Sequence, residues 1–172
     1  MTSYVALLRG VNLVGKSTLK MDDLKAIASE LGLGAARTFV ASGNLLFTSD
    51  MPEERLRAML EERLQGQMAK DVRVMLRTAR EMNAVAASNP FPEVSPKNVQ
   101  AFFMNEPPPA DLLDTVRNQD DERIVAGIRE VFVAYGEKGI GRSRLRIPAA
   151  EQGTARNMNT VARLAELARE IA

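Results

Sequence analysis

The chain has 172 residues, of which 45% are hydrophobic and 26% charged, and it contains neither histidine nor cysteine. Its length suits one ordinary globular domain or two small subdomains, and the missing residue types exclude catalytic triads, cysteine nucleophiles, zinc fingers and disulfide frameworks. The formal net charge of +1 gives no global field that would attract nucleic acid or an anionic membrane, so any basic site must be local.

The first 78 residues alternate between the periodicities of strands and helices. The predicted elements are, in chain order, a strand over 4–8, a helix over 21–31, strands over 37–41 and 45–48, a helix capped by Asp50 with Pro52 at its start, and a strand over 72–76. Gly32 is a natural stop for the first helix, and Ser42-Gly43-Asn44 suits a tight hairpin turn. This order predicts a ferredoxin-like split βαβ subdomain over residues 1–78.

The rest of the chain repeats this pattern less completely. A linking helix over 79–87 and a proline-containing segment precede, in order, a strand over 99–104, a helix near 112–116, a hairpin of 123–126 with 131–135, a loop over 136–141 and a final amphipathic helix from Met158. No last strand is evident. We therefore predict an α+β fold of two ferredoxin-like subdomains with mainly antiparallel sheets and a C-terminal helix. The predicted boundaries are 1–78, a linker over 79–96, and an incomplete second subdomain over 97–172.

Residues 10–17 match the phosphate-loop pattern G-x-x-x-x-G-K-[ST] directly after the first strand. In a nucleotide hydrolase such a loop opens a helix and lies in a mostly parallel sheet that also supplies a magnesium-binding aspartate. Here the helical pattern begins near Met21, the neighbouring hairpin indicates antiparallel pairing, and no core strand ends in that aspartate. A nucleotide hydrolase is therefore disfavoured. Two alternatives stay open: turn glycines beside a solvated Lys16, or an anion-binding loop of another kind.

Donor groups surround this loop in the sequence. Arg9 ends the first strand, Asn12 and Lys16 follow in the loop, and Asn44 offers an amide from the hairpin. Gly43 permits the positive φ that such a turn requires. A plain turn explains Ser42-Gly43-Asn44 equally well.

A second polar cluster is predicted at the start of the terminal helix. Thr154, Arg156, Asn157, Asn159 and Thr160 lie within seven residues. Helix N-termini attract anions, and the guanidinium fork matches phosphate or carboxylate. Alternatively, Thr154 or Asn157 caps the helix and Arg156 pairs with Glu151. The alternating arginines 142, 144 and 146 are typical of a solvated face.

Several short motifs together resemble the bacterial DUF1697 proteins over nearly the whole chain. These motifs are Tyr4-Val5-Ala6-Leu7-Leu8-Arg9-Gly10-Val11-Asn12, Gly15-Lys16, Ser42-Gly43-Asn44, Gly139-Ile140-Gly141-Arg142-Ser143 and Thr154-Ala155-Arg156-Asn157-Met158-Asn159-Thr160-Val161. The resemblance implies a small α+β protein with ferredoxin-like subdomains and no established biochemical function. Relatives commonly have asparagine where Ser17 stands, which weakens the magnesium-binding interpretation, and an aromatic residue where Met158 stands, which indicates a packing position.

The preferred hypothesis is a cytoplasmic protein that binds a small anionic ligand, with no cofactor or metal and no demonstrable reaction. Its composite site joins the loop after the first strand to the N-terminus of the last helix, which should lie within side-chain reach of each other. The predicted site residues are Arg9, Gly10, Asn12, Gly15, Lys16, Ser42, Gly43, Asn44, Arg156, Asn157 and Asn159.

Two other classes of function remain open. A nucleic-acid-binding module would use Tyr4 and Phe47 to stack a base, although aromatic residues make up only 5% of the chain. An interaction protein would dimerise through a sheet face or edge, so both a monomer and a homodimer are compatible with the sequence.

A catalytic pair of Lys16 and Ser42 would require the two loops to meet and the lysine to be buried. The cytoplasmic assignment depends on residues 1–14, which lack the pattern of a signal peptide, and no apolar run is long enough to span a membrane.

Overall fold

The computed structural model describes residues 1–11, 19–40 and 43–172. Within these ranges the strands are β1 (Thr2–Arg9), β2 (Gly34–Thr38), β3 (Asn44–Ser49), β4 (Arg73–Thr78), β5 (Val99–Phe103), β6 (Arg123–Ala126), β7 (Glu130–Ala134) and β8 (Thr154–Asn157). The helices are α1 (Met21–Glu30), α2 (Glu53–Met68), α3 (Ala79–Ala87), α4 (Leu112–Thr115), α5 (Gly139–Arg142) and α6 (Met158–Glu170). Predictions for residues 12–18 and 41–42 lie outside the described residues.

The first sheet has the strand order β2-β3-β1-β4, and all of its pairings are antiparallel. This is the ferredoxin-like order that the sequence predicts. Alternate residues of β1 illustrate why the sheet forms, since Tyr4, Ala6 and Leu8 all belong to one core cluster. The same cluster contains buried leucines of α1 and α2, such as Leu24 and Leu60, so the two helices cover this face of the sheet.

Two helix ends can be compared with their sequence signals. The glycine stop after α1 is confirmed, because Gly32 has a φ of 73° and Leu33 N–H donates to the carbonyl of Ala28 at 2.9 Å. The predicted capping role of Asp50 is wrong. The N-cap of α2 is Pro52, while Asp50 pairs with the N-terminal amino group at 3.3 Å.

The second sheet has the order β6-β7-β5-β8, again with antiparallel pairing throughout. Strand for strand this repeats the order of the first sheet, which confirms the predicted fold class. The expectation that no last strand closes the second sheet is wrong, because β8 pairs with β5 from Gln100 opposite Asn157 to Phe103 opposite Thr154. The intervening helices α4 and α5 have only four residues each, so most of the connections in this part are turns.

Each sheet carries a buried arginine on its fourth strand. Arg77 of β4 lies opposite Val5 of β1 and is 1% exposed, and Arg156 of β8 lies opposite Ala101 of β5 and is 7% exposed. Both donate from Nη1 to the carbonyl of the preceding residue at 2.9 Å. Buried guanidinium groups are rare because desolvation penalises the charge, so these two are a shared structural feature of the subdomains.

The backbone contacts divide the chain into two compact units. One comprises residues 1–84 together with 163–172, and the other comprises residues 85–162. The predicted domain boundaries differ from these units in two places: the predicted linker over 79–96 is divided between the units at residue 84, and residues 163–172 belong to the first unit. The predicted boundaries stay a prediction. The end of α6 is tied to the first unit by hydrogen bonds from Arg37 to Glu170 at 2.9 Å and from Arg169 to Asn83. None of the helices in the described ranges is long and apolar enough to cross a membrane.

Candidate functional site

Two of the predicted site segments meet at one end of the first sheet. The N–H of Leu8 in β1 donates to the carbonyl of Gly43 at 2.9 Å, and Leu19 N–H donates to the carbonyl of Val11 at 3.2 Å. Gly43 has a φ of 79°, and a Cβ at this position would overlap the Val11 side chain. The glycine is therefore required both by its backbone conformation and by the close approach of the end of β1 to the hairpin.

Arg9 gives this end of the sheet a surplus of positive charge. It is the last residue of β1, is partly buried, and lies opposite Arg73 of β4. The carboxylate of Asp71 accepts from Arg73 at 3.3 Å, whereas Arg9 has no acidic partner among the described residues. Like charges directly opposite each other on neighbouring strands are destabilising. An anion bound beside Arg9 would offset that repulsion.

The start of α1 adds little to this positive charge. Its N-cap is Lys20, whose side chain makes no capping hydrogen bond, so the first N–H groups of the helix are left to other acceptors. Asp22 and Asp23 lie in the first turn and already complement the helix dipole. The case for an anion at this end of the sheet therefore depends on Arg9.

Asn44 has a structural role in the hairpin. It is fully buried, its Nδ2 donates to the carbonyl of Phe39 at 2.9 Å, and its own carbonyl accepts from Phe39 N–H at 3.2 Å. These bonds join the end of β2 to the start of β3. Hydrogen bonds of this kind within the hairpin are sufficient to explain Asn44 as part of a plain turn without a ligand.

The remaining residues of the first part of the predicted site, Asn12, Gly15, Lys16 and Ser42, lie outside the described residues. The phosphate loop and the Lys16–Ser42 pair therefore stay predictions. The described surroundings differ from those of a nucleotide hydrolase in two respects. β1 is flanked by antiparallel strands on both sides, and α1 begins only at Met21.

The second part of the predicted site has a different secondary structure from the one expected. Thr154 to Asn157 form strand β8, so Arg156 is a strand residue and the expectation of a helix N-terminus at this arginine is wrong. Its Nη1 donates to Thr154 Oγ1 at 2.7 Å as well as to the Ala155 carbonyl. Burial lowers the pKa of its guanidinium to about 10.

The two asparagines after Arg156 also have defined places. Asn157 Oδ1 accepts from Thr160 N–H at 3.0 Å, so Asn157 caps α6 as one sequence alternative proposed. Asn159 is exposed in the first turn of α6. The carboxylate of Glu151 accepts from Arg146 at 2.7 Å. Because Arg9 and Arg156 belong to different compact units, their predicted meeting stays a prediction.

The aromatic pair considered for base stacking is unsuited to that role. Tyr4 is 7% exposed and Phe47 is fully buried, and their rings stack on each other with centroids 5.6 Å apart. Both belong to the cluster that packs against α1 and α2. The expectation that these two residues could stack a nucleobase is therefore wrong.

A polar cleft in the second unit was missed by the sequence interpretation. It is lined by Asn118, Gln119, Asp120, Glu122, Lys138, Arg142, Ser143 and Arg144 and has a volume of about 230 Å³. At its centre the Glu122 carboxylate, 4% exposed, accepts from Ser143 Oγ at 2.6 Å and from Asp120 N–H at 2.7 Å. Burial acts to raise the pKa of Glu122, but these hydrogen bonds outweigh it and hold the pKa below its ordinary value. Glu122 is therefore a buried, ionised group.

The signal for this cleft was present in the sequence as the motif Gly139-Ile140-Gly141-Arg142-Ser143, which contributed to the family resemblance. Its serine holds the buried carboxylate, and Lys138 directly before it pairs with Asp120. The acidic partners lie about twenty residues upstream. No local pattern connects them with the motif, so only the fold brings the two segments together.

The described residues contain no group of three or more acidic side chains that could hold a metal ion. The remaining chemistry of both regions is that of guanidinium, ammonium, carboxylate and amide groups. Such groups bind anions and hydrogen-bonding ligands.

The geometry therefore defines an α+β protein of two ferredoxin-like subdomains, each with its own polar region. The profile of a family described as "Protein of unknown function (DUF1697)" matches residues 1–132, and this chain belongs to that family. A solved structure of a conserved bacterial protein from Streptococcus pneumoniae is similar, with 21% sequence identity and a TM-score of 0.77. The match covers 97% of this chain and 98% of that one. At this identity the similarity shows the fold alone. No curated protein matches the chain.

Proposed function

We propose that this protein binds a small ligand bearing phosphate or carboxylate groups at the end of the first sheet. The site is formed by the end of β1, the loop that follows it and the turn between β2 and β3. The observation that carries this proposal is the arrangement of Arg9, Arg73 and Asp71. Arg9 and Arg73 lie opposite each other on neighbouring strands, and the carboxylate of Asp71 pairs with Arg73.

The backbone around Arg9 supports binding by a preorganised site. Gly10 has a φ of 86°, and a Cβ there would lie 3.3 Å from the Asp71 carbonyl. The hydrogen bond from Leu8 to Gly43 fixes the hairpin beside it. Arg9 is therefore attached to a fixed strand end, which reduces the backbone entropy lost on binding.

The predicted site continues through Asn12 and Lys16 to Arg156 and Asn157, and we retain this as the wider form of the proposal. The buried Arg156 guanidinium is desolvated and fixed by bonds to its own strand, properties that favour recognition of a planar anion. We propose a binding role in the cytoplasm without assigning a reaction, because histidine and cysteine are absent from the sequence.

Thermal unfolding in the presence of inorganic phosphate, citrate and adenosine monophosphate tests the proposal. A ligand at a hundred times its dissociation constant should raise the unfolding midpoint by about 5 to 11 °C for a chain of this size. The variant Arg9→Ala should lose that rise. Arg55→Ala, which removes an exposed arginine of α2 from the same unit, should keep it.

Each outcome bears on a different part of the proposal. Retention of the full ligand-induced rise in Arg9→Ala, or no rise with any anion in the wild type, would refute the site at the end of β1. A response abolished by Arg9→Ala but kept in Arg156→Lys would limit the site to the first unit. The unliganded midpoint of every variant must be measured, because a variant that fails to fold cannot report on binding.

A further inference from the structure

We infer that the second unit carries a separate binding strip for single-stranded nucleic acid, formed by residues 142–147 and the two clefts beside them. This arginine strip is independent of the anion site proposed at the end of β1. It begins at Arg142, the last residue of α5, changes to extended backbone at Ser143 with φ −69° and ψ 135°, and includes Arg146, which forms an isolated antiparallel bridge with Arg117.

Exposure alternates along the arginine strip. Arg142, Arg144 and Arg146 are exposed, whereas Ser143 and Leu145 are partly buried and Ile147 is buried. Three exposed arginines therefore lie within five residues of one segment. Several neighbouring cations of this kind can contact successive phosphates of a nucleic-acid strand.

The backbone of the arginine strip is held by buried groups. Ser143 Oγ donates to the buried Glu122 carboxylate at 2.6 Å and accepts from Leu145 N–H at 3.2 Å. Arg117 and Arg146 exchange two backbone hydrogen bonds of 2.9 Å. These bonds fix the backbone between the exposed arginines, so the charged side chains extend from an ordered segment.

The charges near the arginine strip leave a local positive surplus. Asp120 pairs with Lys138 and Glu151 pairs with Arg146, while the ionised Glu122 accepts from Ser143 of the strip and contributes one negative charge. Among the described residues, no carboxylate is within ion-pair distance of Arg117, Arg142 or Arg144. Three exposed arginines therefore remain for an anionic ligand, although the whole chain is nearly neutral.

A second cleft continues the arginine strip on its other half. It is lined by Phe102, Leu145, Arg146, Ile147, Ala150 and Glu151 and has a volume of about 240 Å³. Phe102 is only partly buried, so an aromatic ring borders this cleft beside Arg146. Each cleft is smaller than the roughly 300 to 1,000 Å³ of a typical small-molecule site. A ligand that extends along both clefts fits this arrangement better than one compact molecule.

Neighbouring cations beside an aromatic ring are a common means of binding single strands, with phosphates on the cations and a base stacked on the ring. An acidic peptide would use the arginines but would have no use for the ring. A small anion would need only one arginine. The combination therefore favours a short stretch of single-stranded nucleic acid.

Fluorescence anisotropy with a labelled thymidine dodecamer over a salt series tests the arginine strip. With phosphate contacts to Arg117, Arg142 and Arg144, the three arginines without an ion pair, the affinity should fall by about 18-fold between 50 and 200 mM salt. Arg142→Gln combined with Arg144→Gln should weaken binding and reduce that dependence to about threefold, since one contact remains. Arg55→Gln combined with Arg80→Gln removes two exposed charges from helices α2 and α3, and should change neither quantity.

Two further variants separate charge from stacking. Glu151→Gln releases Arg146 from its ion pair, so binding should tighten at low salt and the loss between 50 and 200 mM should grow to about 50-fold. Phe102→Leu preserves an apolar side chain but removes the ring. It should weaken binding by about fivefold or more, the lower end of the contribution of one stacked base, with the salt dependence unchanged.

Several results would overturn the inference. The first is that the double arginine variant binds the oligonucleotide as tightly as the wild type does. The second is that polyglutamate competes for the strip as well as unlabelled oligonucleotide does. The third is that inorganic phosphate binds at the strip and the oligonucleotide binds no more tightly. Circular dichroism shows whether each variant folds. Arg9→Ala should leave oligonucleotide binding intact, while the double arginine variant should keep any phosphate-induced thermal shift, so failure at one site can be distinguished from failure at the other.

Discussion

The two sheets have the same strand order but are completed in different ways. In the first unit, helices of 10 and 16 residues cover one face of the sheet, and their leucines enlarge its core. In the second unit the corresponding connections contain helices of only four residues, and a smaller apolar cluster is flanked by turns. The same topology is thus compatible with very different amounts of helix.

The difference between the connections also changes what each unit presents to solvent. Long helices cover the apolar face of the first sheet, and Arg9 lies partly buried at a strand end. Short connections leave turns and short segments at the surface, and these carry exposed Arg142 and Arg144 on either side of Ser143, which donates to the buried Glu122. Ordered loops on a rigid sheet are common places for binding residues. The comparison indicates a more stable first unit and a more polar, ligand-accessible second one.

The largest expected effect tests the cores of the two units with the same substitution. Phe47 in β3 and Phe103 in β5 are both fully buried. Replacing either with alanine should cost about 3 to 5 kcal/mol of unfolding free energy, because it removes buried apolar area and leaves a cavity. Urea unfolding measures the cost, and native-state hydrogen exchange should show slower exchange in the first unit. Faster exchange there than in the second unit would contradict the comparison.

The paired arginines test whether the two sheets share more than their topology. Arg77→Ala and Arg156→Ala should each cost about 3 kcal/mol, because each leaves a cavity and a buried carbonyl without its donor. Thermal and urea unfolding can measure both. If one arginine substitution costs a large unfolding free energy and the other almost none, then the two sheets share their strand order but not the structural role of the buried arginine.

Gly43 tests the rigidity of the strand end that carries Arg9. Gly43→Ala should cost about 2 kcal/mol or more, because alanine at a φ of 79° is strained and its Cβ would overlap the Val11 side chain. Gly66→Ala is the matched control. Gly66 lies inside α2 with no atom within 4 Å of the added Cβ, so alanine should stabilise that helix by up to about 1 kcal/mol. Equal effects of the two changes would remove the argument for a fixed turn.

Glu122 tests the corresponding support in the second unit through pH. Its pKa in the folded protein lies below the ordinary value of 4.5, so its stabilising contribution is present above about pH 4.5 and is lost as the pH falls through the folded pKa. The stability difference between wild type and Glu122→Gln should therefore shrink on acidification below pH 4.5. Unfolding measured between pH 7 and pH 3 tests this, with exposed Glu62→Gln as the control. A difference that widens toward acid would show that the sign is wrong.

The smallest expected effect concerns the end of α6. Arg37 and Glu170 pair at 2.9 Å, and both side chains are nearly half exposed. A double-mutant cycle with Arg37→Ala and Glu170→Ala should give a coupling energy of about 0.5 kcal/mol that decreases at high salt. A coupling above about 1.5 kcal/mol would mean that this pair is far less hydrated than its exposure indicates.

The strands of the first unit could be predicted because their apolar residues and turn signals are local. β8 could not, since Thr154-Ala155-Arg156-Asn157 has no apolar alternation and its identity depends on pairing with β5, more than fifty residues away. The polar residues of β8 are also typical of a helix start, and Asn157 does cap α6. The helix-start signal is therefore genuine, but it belongs to α6 and gives no indication of the strand that precedes it.

The candidate sites show the same limit. Gly43 and Arg9 were identified because a turn glycine and a charged strand end have local signatures. Arg77 was missed because an arginine in an otherwise apolar strand normally faces water, and its burial depends on the rest of the fold. Glu122 and Ser143 were missed as a pair because tertiary structure alone brings a carboxylate to a serine twenty-one residues later.

The division of α6 between the two units has a consequence for how the protein is made. Residues 158–162 belong to the second unit and 163–172 to the first, so the first unit consists of two segments that leave the ribosome at different times. At synthesis rates of about 5 to 20 residues per second, the intervening residues delay its completion by about 4 to 16 seconds. The whole second unit is translated during that interval. Only afterwards does the first unit receive its last segment, which contains Leu164 and Leu167.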